Sequence, residues 1–107
     1  MNDATVPWQV SFHDPDLNAA FVVDGHEYTL NVGIGSNWPT LSFGRNATIH
    51  YNDLSQMTGK QKCRVLLAPD SLVLETKNGV RLEAEQNCTG VEAEEFETLA
   101  VWQEKIQ

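Results

Sequence analysis

Residues 62–85, KCRVLLAPDSLVLETKNGVRLEAE, constrain this chain more than any other stretch. Three apolar-alternating runs separated by two turn signals leave one antiparallel meander that keeps buried and solvated side chains apart. An Asn-Gly pair between such runs ordinarily marks a two-residue turn. Looping over Asn78 and Gly79 alone, however, sets Glu75 opposite Leu82 and Leu74 opposite Glu83, which mixes the two faces. A three-residue loop resolves the conflict, with Lys77 and Asn78 in a type I turn and Gly79 left-handed as a bulge. Thr76 then opposes Val80, Leu74 opposes Leu82, Leu72 opposes Ala84, and Glu75 meets Arg81 across the ladder.

At the other end Ala68-Pro69-Asp70-Ser71 supplies a turn whose proline presets φ. Leu67 then opposes Leu72, Val65 opposes Leu74, Cys63 opposes Thr76, and Arg64 lies beside Glu75. One face is apolar throughout. The other carries Arg64, Glu75 and Arg81, with Leu66, Val73 and Glu83 further along, and reads as a solvated charge row worth about 0.2–1 kcal/mol per pair.

A second hairpin is equally well marked. The runs 19–23 and 26–34 meet across Asp24-Gly25, and here a two-residue turn sets Phe21 against Tyr28 and Ala19 against Leu30. Before it, Val6, Trp8, Val10 and Phe12 alternate with polar residues as a half-buried strand, in which Pro7 suggests an edge or a strand start. Residues 33–39 make a loop, and 40–43 and 47–51 form either a hairpin or one bulged strand. A helical turn is expected within 53–57.

The C-terminal stretch reads as a helix over 90–106. Thr89 and Glu92 fit a capping box, four glutamates from Glu92 to Glu97 crowd its start, and Phe96, Leu99, Ala100, Trp102 and Ile106 share one face at about 100° per residue. The expected fold is therefore mainly β (α+β), an antiparallel barrel or sandwich of about six to eight strands with a C-terminal helix packed on the sheet. One domain spans 1–107, strand-rich over 5–88.

The net charge is −8, and six of the seven basic residues fall between Arg45 and Arg81. That balance repels nucleic-acid phosphate and favours a partner with a basic surface, with a homodimer as a further expectation. No apolar run reaches the roughly 20 residues that span a bilayer, and the start MNDATVPWQV has neither a basic leader nor an apolar signal core, so no membrane partner and a cytoplasmic location are expected. Cys63 and Cys88 fall roughly 25 Å apart along extended chain and read as free thiols, with Cys88 the one worth testing for reactivity. Asn46-Ala47-Thr48 and Asn87-Cys88-Thr89 match the glycosylation pattern by chance in such a compartment.

No catalytic constellation stands out. His13, His26 and His50 each have a carboxylate nearby, Asp14, Glu27 and Asp53, but neighbours along a strand point to opposite faces, and the histidine spacings match no zinc signature. No metal or cofactor is therefore assigned, and Gly33-Ile34-Gly35 opens no helix as a dinucleotide fingerprint requires. The candidate ligand- or partner-binding residues are Trp38, on a loop between turn formers, with Tyr28, His26 and His50. Two functions follow: a small acidic, non-enzymatic binding or inhibitor protein, or a small-molecule binder or small enzyme with a cavity between sheet and helix. A filled core favours the first and a deep pocket the second.

Overall fold

In the computed structural model, which describes residues 2–13, 15–35, 41–87 and 92–105, eight strands close into an antiparallel barrel. They are β1 (Asn2–His13), β2 (Asp16–Val23), β3 (His26–Gly33), β4 (Phe43–Tyr51), β5 (Gly59–Ala68), β6 (Ser71–Thr76), β7 (Arg81–Gln86) and β8 (Glu94–Lys105). Around the barrel the order is β1-β2-β3-β8-β5-β6-β7-β4, and β4 pairs back onto β1. Two hairpin-connected meanders, β1-β2-β3 and β5-β6-β7, are thus joined on one side by β4 and on the other by β8.

The β5-β6-β7 meander and the β2–β3 hairpin have the expected register. Leu74 faces Leu82 and Leu72 faces Ala84, Val65 faces Leu74 and Leu67 faces Leu72, and Gly79 sits at φ +104 in the loop that the bulge requires. In the first meander Phe21 faces Tyr28 and Ala19 faces Leu30, with Asp24 and Gly25 both at positive φ as a type I′ turn demands.

The C-terminal helix is not present: residues 94–105 form β8, and the described chain contains no α-helix, only a single 3-10 turn at Leu54–Gln56. Phe96, Ala100 and Trp102 turn inward with period two, while Leu99, assigned to the same helical face as Trp102, is 49% exposed on the outside. Tertiary context decides the conformation. Without this segment β3 and β5 each present an open edge, and β8 pairs with both, Leu30 to Trp102 on one side and Val65 to Phe96 on the other. Two ladders of backbone hydrogen bonds outweigh the modest intrinsic helix preference of a Glu-, Ala- and Leu-containing run. Thr89, Gly90 and Ile106, which completed the helical pattern, lie outside the described residues.

The same closure settles barrel over sandwich and corrects the edge reading of Pro7. Pro7 is internal to β1, at the point where the strand changes partner: Asn2 to Pro7 pair with β4, and Trp8 to His13 pair with β2. Residues 43–51 are one strand, with a register shift between Phe43 and Ala47. Trp8 Nε1 donates to Gly44 O at this bulge, 2.7 Å, and its ring meets Phe43 edge-on.

An eight-stranded barrel is just wide enough for side chains to fill it. Here Trp8, Phe21, Tyr28, Ile49, Met57, Leu67, Leu74 and Trp102 are among those that do so, and Phe21 packs edge to face on Trp102 with ring centroids 6.0 Å apart.

Candidate functional site

The structure brings His26 and Tyr28 together and places His50 elsewhere; Trp38 lies outside the described residues. At one end of the barrel His26 Nδ1 is 2.6 Å from Glu104 Oε1, and the His26 and Tyr28 rings lie 6.3 Å apart, tilted by 30°. Burial, and then the Glu104 carboxylate, push the Tyr28 hydroxyl above its ordinary value. These three residues line an open hollow of about 250 Å³ with Leu54, Ser55, Met57 and Thr58.

The 3-10 turn forming part of this hollow is held by side-chain chemistry. Asp53 accepts from Ser55 N at 2.9 Å, which lowers the Asp53 pKa, and Gln56 Oε1 accepts from Asn52 N and Asp53 N. Gln56 and Asn78 then exchange hydrogen bonds between side chain and backbone, 2.6 and 2.9 Å, tying the turn to the β6–β7 loop.

His50 lies on the outside, across β1, β4 and β7. Its Nδ1 is 2.6 Å from Asp3 and its Nε2 is 3.6 Å from Glu83, while Arg81 joins Glu83 at 2.6 Å and Glu75 at 3.3 Å. The carboxylates that meet His26 and His50 are thus 78 and 47 residues away in sequence rather than the neighbours Glu27 and Asp53. Only the strand register, which sets Asp3 against His50 and Tyr28 beside Glu104, reveals them.

The exterior is divided by charge. The side formed by β4, β7, β6 and β5 carries the ion pairs around Arg81 and the pair Arg64–Glu95. On the other side two complete cross-strand rows are uncharged: Ser11, Asn18, Asn31, Val101 and Gln9, Ala20, Thr29, Gln103. They line a shallow outer depression of about 690 Å³. At the end where the β5–β6 turn meets β7 and β8, Ser71 pairs with Glu85 and Leu67 with Glu94, so the exposed Asp70, Glu85 and Glu94 lie along this rim of the barrel, with Glu92 two residues before Glu94. None of the ion pairs among the described residues involves these four.

Among the described residues no group of three His, Cys, Asp or Glu is placed to hold a metal ion. Cys63 is a free thiol buried in the core, and burial pushes its pKa up to about 11. Cys88 lies outside the described residues. The raised value favours the protonated, folded state: its contribution is complete below the ordinary thiol pKa of 9.0 and is lost as pH rises from there through about 11. Denaturant melts are expected to show stability falling by on the order of 2–3 kcal/mol over that window, with the fall reduced in Cys63→Ala. An equal fall in both proteins would remove Cys63 as its cause.

No known protein family, curated protein or solved structure matches this chain. No helix among the described residues is long and apolar enough to cross a membrane.

Proposed function

We propose that this protein is a small acidic binding or inhibitor protein that acts through its outer surface on a protein partner with a basic face, in the cytoplasm. The observation that carries this reading is the filled barrel interior, where large side chains occupy the space in which a barrel of this size would otherwise hold one small ligand. The rim of Asp70, Glu85, Glu92 and Glu94 gives the charge of −8 a direction. Four carboxylates at one end of a rigid scaffold steer a basic surface towards it and fix its orientation.

The cavity between sheet and helix falls with the helix. Of the residues expected to line it, His26 and Tyr28 border a hollow of about 250 Å³, smaller than the roughly 300–1,000 Å³ of ordinary ligand pockets, and the depression of about 690 Å³ on the outer face is shallow and holds none of them.

The test compares capture of partners by the wild-type protein and by the triple variant Glu85→Gln, Glu92→Gln, Glu94→Gln at low and high salt. A partner held by the wild type at low salt, released by salt and lost by the variant is the expected result. Equal retention by both proteins, or no partner at either salt, overturns the reading.

A further inference from the structure

We propose that the uncharged side of the barrel, formed by β1, β2, β3 and β8, is where two copies of this chain meet. Each copy carries −8, so most relative orientations bring like charges together. Across β1, β2, β3 and β8 the rows Ser11-Asn18-Asn31-Val101 and Gln9-Ala20-Thr29-Gln103 place eight consecutive cross-strand positions without one ionisable group. Three acids lie at its margin: Asp16 at the start of β2, Asp24 in the β2–β3 turn, and Glu27 paired with Lys105 at 3.9 Å.

The chemistry of the rows suits a copy of themselves. A primary amide carries donors and acceptors together, so equivalent amides can pair across a two-fold axis, which a row of carboxylates cannot do. Asn31 Nδ2 donates to Asn18 Oδ1 at 2.6 Å, which orients both amides and leaves the Asn18 amide hydrogens and the Asn31 carbonyl oxygen with capacity to bond outward. Among the described residues, the two large apolar side chains most exposed to solvent belong to the same side: Val22 on β2, 50% exposed, and Leu99 on β8, 49% exposed. They stand at opposite ends of the two polar rows, two residues beyond Ala20 and two before Val101.

The size of the face sets the strength. Four strands at about 4.8 Å spacing and the two uncharged rows at about 6.6 Å give a core of roughly 250 Å² per copy, and the flanking rows His13-Asp16-Gly33 and Val22-Glu27-Lys105 extend it to roughly 500 Å² with a charged rim. The total of roughly 1,000 Å² lies at the low end of specific interfaces, so the dimer is a weak one. Pairing through this side leaves the acidic rims uncovered, and the inference stands whether or not the partner reading holds.

Salt separates this association from one made by charge. Screening reduces the repulsion between two anionic copies, so the dimer strengthens as salt rises, whereas contact with a basic partner weakens. The experiment is sedimentation velocity over a wide concentration range at two salt concentrations. It compares the wild type, the double variant Gln9→Glu, Gln103→Glu, and the control Asn46→Asp, which adds a negative charge on β4. All three positions are exposed, so the fold is retained. The wild type and N46D are expected to dimerise alike and more tightly in high salt, and Q9E/Q103E to dimerise at least tenfold more weakly. A monomeric wild type, a dimer weakened by salt, or a double variant that associates as the wild type does would each overturn the assignment.

Discussion

Trp102→Ala is expected to cost about 3–5 kcal/mol of folding stability, whereas Leu99→Ala, three residues earlier, is expected to cost less than about 1 kcal/mol. Trp102 is 3% exposed and packs edge to face against Phe21 in the barrel core, so alanine leaves a void that the closed strands cannot collapse into. Leu99 points outward beside Lys62 and gives up little on truncation. The pair also tests the conformation of the C-terminal segment, since positions three apart share a face in a helix and lie on opposite faces in a strand. Chemical denaturation of both variants reads the difference directly. Similar losses at the two positions would contradict the strand.

The orphan donor sharpens this prediction. Trp102 Nε1 is buried without a hydrogen-bond partner, a cost of about 1–3 kcal/mol that the native protein already carries. Alanine removes that cost together with the ring, which places W102A towards the lower end of its range.

How much was legible depends on whether a segment's own pattern names its partner. The runs 62–85 and 19–34 do, because their turns are short and a wrong register would bury Glu83 or expose Leu74. Residues 94–105 do not. Phe96, Ala100 and Trp102 satisfy a strand, and Leu99 added to them satisfies a helix, so the choice rests on the open edges of β3 and β5, which local pattern does not report. The histidines were obscured for the same reason: the partners of His26 and His50 arrive through β8 and through the β1–β4 closure, neither of which is a hairpin. Most of the uncharged rows were in principle visible, since Gln9, Ser11, Ala20, Thr29 and Asn31 occupy the outward positions of three recognised strands, whereas Asn18 precedes the run 19–23 and joins the row only because β2 begins at Asp16.

A chain ending after Ala93, and so lacking β8, is expected to lose cooperative unfolding altogether and to bind hydrophobic dyes. Phe96, Ala100 and Trp102 bury on the order of 400 Å² of apolar surface, worth at most about 10 kcal/mol, against a total stability of about 5–15 kcal/mol for a domain of this size. The loss extends beyond those side chains. Removing β8 exposes the edges of β3 and β5 together, and strand edges left unpaired along their whole length recruit other chains. The truncated protein is therefore expected to aggregate as concentration rises, whereas loss of a helix from one face of an intact sheet would leave a soluble, partly structured remnant. A synthetic peptide of residues 92–105 separates closure from general destabilisation, because a strand supplied from outside can occupy the gap and satisfy both edges. Restoration of a cooperative melt by that peptide, with none by a scrambled version, is the expected outcome. A truncated chain that melts cooperatively without the peptide would show that the seven remaining strands hold the fold and that closure through β8 does not.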